Sequence, residues 1–298
     1  MKDISKFRGV IPPTLTGWTS DGEIDAEKTK RHIQHVIDGG VHGILVAGST
    51  GEASLMTMKQ RKEIIDVGVA AAKGKVQVIV GTGHNCTKLA VELTKHAEAA
   101  GADAAMAYLP HYPKPSQEGL YYHYKALGEA VTNMPVFVYS WPGQYGIEIE
   151  PETVAHLAEE GYIQGIKDST ESLDHTLEIL RLTKGKIAIL TGVDTNALAT
   201  LCLGAPGAML MTSDIVPAEA VKLYDLFQAG KIKEAAQQQL ALLPLFHLIC
   251  AYGMDNLPLV REGAKIMGCD AGDSPLPSTK LSPELMEKLK NELAKYKK

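Results

Sequence analysis

The 298-residue sequence predicts an α/β fold, a (β/α)8 TIM barrel with a C-terminal helical extension. Eight short apolar runs alternate with amphipathic helical stretches, and a helix after each of the first seven runs indicates parallel strand pairing. No GxGxxG motif follows the first strand, which disfavours the competing open, doubly wound sheet. The 28 glycines and the low aromatic fraction of 6% suit many short loops between strands and helices.

Each predicted strand is a short apolar run bounded by glycine or polar residues. In chain order the strands are Gly9–Thr16, Gly43–Ala47, Val76–Val80, Ala104–Tyr108, Val136–Tyr139, Ile163–Ile166, Ile187–Leu190 and Ala208–Met211. Between them, apolar residues recur at the spacing of one helix face. The predicted helices are Ala26–Asp38, Met58–Ala72, Thr87–Ala100, Gln117–Val131, Pro151–Glu160, Leu173–Leu182 and Thr195–Leu203.

Further helical segments follow the eighth strand, and no low-complexity linker separates them from it. They are Ala218–Gln228, Lys231–Tyr252, Leu257–Met267 and Ser282–Lys295. We therefore predict a barrel over residues 1–215 and a helical extension over residues 216–298 that packs on it. The longest apolar stretch, Leu240 to Met254, contains Pro244 and His247 and is too short to span a bilayer, which predicts a buried helix.

The bulk composition is that of a soluble globular protein, with 45% apolar and 22% charged residues. The net charge is −5 and no basic tract occurs, so neither nucleic acid nor a membrane is an expected partner. The first five residues lack the apolar core of a signal peptide, which favours a cytoplasmic protein. The cysteines show no CxxC spacing and are expected to be reduced thiols rather than a metal site: Cys86, Cys202, Cys250 and Cys269.

Lys167 lies at the carboxyl end of the sixth predicted strand, where barrel enzymes place their chemistry. Burial in such a strand end would lower the pKa of the lysine and free its amine to attack a carbonyl carbon. The alternative is an ordinary lysine that ends a strand and extends its ammonium group into water. The segment by itself leaves both interpretations open.

Other polar residues are predicted at the same rim of the barrel. The loop Gly48–Glu52, with two hydroxyls and free backbone amides, could bind a small carboxylate, or it could be a plain turn with a hydroxyl cap and Glu52 in the first helical turn. Tyr139 ends the fifth strand and could donate a proton, or it could be a core aromatic. Tyr112 lies between prolines and could equally be an ordinary loop residue.

Together these segments resemble the class I aldolase family that includes dihydrodipicolinate synthase, N-acetylneuraminate lyase and the 2-keto-3-deoxy sugar acid aldolases. The resemblance covers nearly the whole chain, from Gly9–Thr16 to Pro277–Ser282. Its most specific segments are Gly48–Glu52, Val138–Pro142 and Gly165–Ser169, which occur in the right order and at predicted strand ends.

The resemblance implies a Schiff-base mechanism that needs no metal and no cofactor. Lys167 would form a covalent imine with pyruvate or a longer 2-keto acid, Tyr139 would carry protons, and Tyr112 would complete a relay across a subunit interface. The family is commonly a homotetramer built as a dimer of dimers, so the same arrangement is expected here. The expected substrate-binding residues are Ser49, Thr50, Gln144 and Met209.

One position departs from the pattern of dihydrodipicolinate synthases. They carry an arginine shortly after the catalytic tyrosine that binds the carboxylate of aspartate semialdehyde, and Gln144 stands in its place. A charged hydrogen bond of about 1.5–3 kcal/mol is lost, and a neutral amide suits the hydroxyls of a sugar-derived aldehyde. The main expectation is therefore cleavage or synthesis of a 2-keto-3-deoxy sugar acid or a related hydroxylated 2-keto acid. The alternatives are a dihydrodipicolinate synthase (4-hydroxy-tetrahydrodipicolinate synthase), a 2-keto acid dehydratase and a non-catalytic 2-keto acid sensor.

Overall fold

The computed structural model describes residues 2–251 and 256–297, and it shows the predicted TIM barrel with a C-terminal helical extension. All strand pairs are parallel, in the order β1-β8-β7-β6-β5-β4-β3-β2. Between β1 and β2 the barrel is joined by single backbone bonds, from His42 N to Val10 O (3.0 Å) and from Leu45 N to Pro12 O (2.8 Å). The strands are β1 Gly9–Val10, β2 Gly43–Val46, β3 Gln77–Gly81, β4 Ala104–Tyr108, β5 Val136–Ser140, β6 Gly165–Asp168, β7 Ala188–Thr191 and β8 Gly207–Ala208.

The first and last strands are shorter than predicted. The expected strand Gly9–Thr16 pairs only at Gly9 and Val10, because Pro12 and Pro13 have no amide hydrogen to continue the ladder. The eighth strand ends at Ala208 because the chain turns into a 3-10 helix at Met211–Asp214. The inner six strands match the predicted runs to within one or two residues at each end.

The helices are α1 Ala26–Asp38, α2 Met58–Ala72, α3 Thr87–Ala100, α4 Gln117–Glu129, α5 Pro142–Tyr145, α6 Pro151–Glu159, α7 Leu173–Thr183, α8 Ala197–Cys202, α9 Pro217–Gln228, α10 Ile232–Ala251, α11 Leu257–Ile266 and α12 Pro283–Leu293. Several begin with a side-chain cap: Asp25 accepts from Lys28 N, and Thr57 and Gln60 form a capping box. The short α5 was not predicted. It begins with Pro142, whose missing amide hydrogen costs nothing at a first helical position.

The C-terminal helices pack on the barrel. Helix α9 contacts β1 and the turn after β8, and α10 packs along α9. The boundary at residues 215/216 stays a prediction. Helix α10 contains Pro244, and residues 252–254 of the stretch predicted as a buried helix lie outside the described residues. No helix in the described ranges is both long and apolar enough to cross a membrane.

A buried ion pair ties α1 to the turn after β8. His32 Nε2 lies 2.9 Å from Asp214 Oδ1, and both side chains are fully buried. Burial alone would lower the pKa of His32, but the bond to Asp214 outweighs it and raises the pKa to about 9. The imidazolium form is therefore favoured at neutral pH, and it holds the turn that follows the last strand against the first barrel helix.

Candidate active site

A cavity of about 710 Å³ opens at the carboxyl ends of the strands. This is the rim at which loops of a (β/α)8 barrel place reactive groups. Five of the seven side chains proposed from the sequence line it, namely Ser49, Thr50, Tyr139, Gln144 and Lys167. The structure therefore brings together residues that are up to 118 positions apart in the chain, from Ser49 to Lys167.

Lys167 is placed by the register of β6 against β5. It pairs with Tyr139 across the two strands, and its Nζ lies 4.2 Å from the centre of the Tyr139 ring. Only 4% of Lys167 is exposed. An ammonium group over an aromatic face gains electrostatic attraction that partly offsets its lost hydration. The lysine is thus held inside the cavity rather than extended into water.

The neighbouring strand leaves space for the lysine. Gly192 follows β7, and a Cβ atom at that position would lie 2.5 Å from Lys167 Cε and 2.0 Å from Ser169 Oγ. Such distances are shorter than any real Cβ contact, so an alanine would push the lysine side chain aside. The absent side chain of Gly192 is therefore part of the site's geometry.

The strand end is also anchored from outside the cavity. Asp168, next to Lys167, accepts hydrogen bonds from Thr176 Oγ1 at 2.7 Å and from Thr170 N at 3.0 Å. His175 Nδ1 lies 3.2 Å from the same carboxylate. Burial opposes the charged form of His175, but the bond to Asp168 raises its pKa. These contacts fix the direction in which β6 ends and hence the direction of Lys167.

The loop Gly48–Glu52 has the backbone of an anion site. The amides of Ser49 and Thr50 donate no hydrogen bond within the described ranges, although Thr50 is buried. Ala47 and Glu52 adopt left-handed conformations, with φ of 55° and 56°. Such strain in residues other than glycine is common where backbone is shaped for a ligand. Glu52 does not lie within a helical turn, because it precedes the 3-10 helix Ala53–Leu55 in a left-handed conformation, and its carboxylate accepts hydrogen bonds from Arg261 and Trp18.

The hydroxyl of Ser49 contacts the hydroxyl of Tyr145, a residue of α5 that was not among the predicted site residues. Ser49 Oγ lies 3.2 Å from the Tyr145 hydroxyl. The Tyr145 ring packs edge-on against Tyr139 at 5.7 Å and stacks on His111 at 5.2 Å. Burial raises the pKa of Tyr145 well above its usual range, so its hydroxyl stays protonated and can donate or accept a hydrogen bond. Position alone could not reveal this role, because Tyr145 lies in a helical turn beyond the strand end.

Tyr112 and Met209 do not line the cavity of their own chain. Tyr112 is 89% exposed, on a loop where Asn85 Oδ1 accepts from the amides of His111 and Tyr112. Its use by a neighbouring subunit stays a prediction. Met209 is completely buried, and Met211 in the following turn lines the cavity instead.

Gln144 lies on α5, exposed at the wall of the cavity beside Trp141 and Gly143. Among the described residues that line the cavity, the charged side chains are Lys167, Glu52 and Glu171. No arginine is among the described residues that line this cavity.

Two buried carboxylates, Asp194 and Asp214, interact electrostatically with Lys167. Burial raises the pKa of Asp194, while the hydroxyl and amide of Thr212, the amide of Met211 and the charge of Lys167 oppose that rise. Burial likewise raises the pKa of Asp214, while the hydrogen bond and charge of His32 and the charge of Lys167 oppose that rise. Asp194 was not among the predicted site residues, although it follows β7 and the rule of strand ends points to it.

The comparisons with known proteins agree with this geometry. Residues 6–296 match the model of the dihydrodipicolinate synthetase family. The chain belongs to this family. It is accordingly an enzyme of the pyruvate-dependent lyases and synthases, and the resemblance noted from the sequence is confirmed.

Individual relatives extend the match over nearly the full length. The chain is 38% identical to a 4-hydroxy-tetrahydrodipicolinate synthase of Geotalea uraniireducens (strain Rf4), covering 93% of this chain and 94% of the relative. The structure of YagE, a prophage protein of E. coli K12 solved in complex with pyruvate, matches with a TM-score of 0.92, 29% identity and coverage of 97% and 98%. A monomeric dihydrodipicolinate synthase variant matches with a TM-score of 0.90, 30% identity and coverage of 98% and 97%.

The close fit around Gly192 yields a test. Gly192→Ala should displace Lys167 and lower the rate of imine formation with pyruvate by about tenfold or more, because the new methyl group occupies space that the lysine needs. The measurement is the rate of borohydride-trapped pyruvate adduct.

Gly143→Ala is the matched control, since it lines the same cavity and its Cβ would meet nothing closer than 3.6 Å. It should trap pyruvate at the wild-type rate. Equal rates in wild type and Gly192→Ala would show that Gly192 is not needed for the position of the lysine.

Proposed function

We propose that the chain is an aldolase that joins pyruvate to an aldehyde, or cleaves the product, through a covalent imine on Lys167. The observation that carries this proposal is a buried lysine beside Tyr139, in a cavity that is also lined by Ser49 and Thr50, whose amides donate no hydrogen bond to the described residues. A nucleophile and a carboxylate-binding loop in one cavity are the two elements that pyruvate chemistry requires.

The sequence of steps follows from these positions. The neutral amine of Lys167 adds to the ketone carbon, one proton is taken up, water leaves, and a protonated imine forms; the final hydrolysis of the imine returns that proton. This group withdraws electrons, so C3 loses a proton and the resulting enamine attacks the aldehyde carbon. The new alkoxide takes up a proton, and water then releases the product from the lysine. The reverse order cleaves the same carbon–carbon bond.

The remaining residues would bind the substrate carboxylate and transfer protons. The amides of Ser49 and Thr50 would bind the pyruvate carboxylate, as backbone amides at a turn bind anions. Tyr139 lies across from Lys167 and would exchange the proton of the aldehyde or alcohol oxygen. Tyr145, which bonds Ser49, would keep the hydroxyl of that serine directed at the loop.

The first candidate for the whole reaction is 4-hydroxy-tetrahydrodipicolinate synthesis, with aspartate semialdehyde as the second substrate. Its support is the name of the close relatives, and this supports the alternative of the sequence analysis better than its main expectation. The second candidate is a neutral, hydroxylated aldehyde. Its support is the cavity wall, where Gln144 and Glu171 offer hydrogen bonds and no cation for a carboxylate.

We further propose a cytoplasmic homotetramer in which Tyr112 reaches the site of a neighbouring subunit. The support is the 89% exposure of a tyrosine on a rim loop and the free cysteines of the described chain. The monomeric variant among the structural neighbours shows that the barrel alone does not require that assembly. Sedimentation of the purified protein tests the proposal.

Pyruvate and borohydride test the nucleophile. Reduction should add one pyruvyl unit per chain, located on Lys167 by mass spectrometry, because this lysine lies in the cavity. Lys167→Arg should lose both label and turnover, since a guanidinium stays charged and forms no imine. A label on another lysine, or none, would contradict the mechanism.

Tyr139→Phe separates imine formation from proton transfer. The ring packing is retained and the hydroxyl is lost, so turnover should fall by about 10²–10⁴-fold, the usual effect of a general acid–base group. Tyr145→Phe is the companion variant and should act mainly on pyruvate binding, through Ser49. An unchanged kcat in Tyr139→Phe would show that this tyrosine serves only in packing.

Gln144→Arg tests the second substrate. The arginine adds a charged hydrogen bond, so the ratio of kcat/KM for aspartate semialdehyde to that for a neutral hydroxylated aldehyde should rise by about tenfold or more. Gln144→Leu adds no charge and should not move the ratio in that direction. A wild type already efficient with aspartate semialdehyde establishes the first candidate, and an arginine variant with an unchanged ratio shows that residue 144 does not contact the aldehyde.

A further inference from the structure

A second buried ion pair lies at the edge of the cavity, between the extension and the barrel. Arg261 in α11 donates through Nη2 to Oε2 of Glu52, the last residue of the loop Gly48–Glu52. Glu52 is 1% exposed and Arg261 4%. These residues are 209 positions apart, so the pair connects the C-terminal helices to the loop expected to bind a carboxylate.

Arg261 also holds the segments that surround this loop. Its Nη2 donates to Thr16 O at 2.8 Å, and its Nη1 donates to Ala271 O and Gly272 O at 3.2 Å each. Thr16 Oγ1 in turn donates to Gly51 O at 2.7 Å. One guanidinium therefore joins the loop after β1, the loop after β2 and the segment after α11.

Arg261 neutralises the negative charge of Glu52, which would otherwise lie unpaired at the edge of the cavity. Glu52 lines the cavity, one residue beyond Gly51 in the same loop as the free amides. Its Oε2 accepts from Trp18 Nε1 at 2.5 Å and from Arg261, while Oε1 is buried with no hydrogen-bond partner in the described part of the chain. A bare carboxylate at this place would repel the carboxylate of a bound 2-keto acid.

We propose that Arg261 is a positioning residue for substrate binding. It cancels the charge of Glu52 and holds this residue in its left-handed conformation, so that the amides of Ser49 and Thr50 remain aimed at the substrate carboxylate. The inference rests on the proposed function for the identity of the ligand, a small 2-keto acid. It assigns to the C-terminal extension a direct effect on substrate affinity.

The test is a double-mutant cycle read by calorimetric titration with pyruvate. Arg261→Met should weaken pyruvate binding by about tenfold or more, because it uncovers the Glu52 charge. Glu52→Gln/Arg261→Met should recover most of that loss, because no charge remains to be cancelled. A role in folding alone would instead make the double variant as weak as Arg261→Met, and that result, or a loss below about threefold in Arg261→Met, overturns the proposal.

Arg261→Lys keeps the positive charge, so it should bind pyruvate within about threefold of wild type even if its Tm falls. If Arg261→Met does not fold, the pyruvate affinities of Arg261→Lys and Glu52→Gln test the proposal instead. Affinities within about threefold of wild type in both variants support charge cancellation, and an affinity about tenfold weaker in either variant overturns it. Leu289→Ala is the control, because Leu289 is fully buried in α12 of the same extension. This variant should lower Tm and leave the pyruvate affinity unchanged.

The inference and the proposed function can fail separately. A wild type that binds pyruvate but takes up no borohydride label contradicts the proposed function, and it does not contradict the role of Arg261 in binding.

Discussion

The site depends on the parallel register between β5 and β6, which sets Lys167 directly across from Tyr139. A shift by one residue would turn Lys167 away from the cavity, since successive side chains point to opposite faces of a strand. The register is fixed at the other end of β6 by Gly165, where a Cβ would meet the Phe137 ring at 2.6 Å. Close packing of Gly165 against Phe137 thus helps to determine where Lys167 lies.

Much of this could be predicted from the sequence, because the determining signals are local. Alternating apolar runs and helical faces specify the barrel, and the strand-end rule places Lys167, Tyr139 and Ser49 at one rim. The shortened first strand follows from Pro12 and Pro13 and could also have been anticipated. By contrast, Ser49 meets Tyr145 and Glu52 meets Arg261 only after the chain has folded, and no spacing in the sequence signals either contact.

The names of the relatives favour aspartate semialdehyde as the second substrate, whereas the residues that line the cavity near Gln144 favour a neutral aldehyde. Both observations are compatible with the proposed mechanism, in which the imine forms on pyruvate and the aldehyde binds farther out, at α5. Gln144 lies in that outer region and is exposed, so it can change without disturbing the buried lysine. We therefore expect members of the family to share the buried part of the site around Lys167. The exposed part around Gln144 is where an individual member can differ in its second substrate.

The most direct test of the central claim is a crystal structure of the protein soaked with pyruvate. The account predicts continuous density from Lys167 Nζ to C2 of pyruvate, with the carboxylate within hydrogen-bond distance of the amides of Ser49 and Thr50. Pyruvate bound without a covalent link to Lys167, or with its carboxylate turned away from the loop Gly48–Glu52, would contradict it.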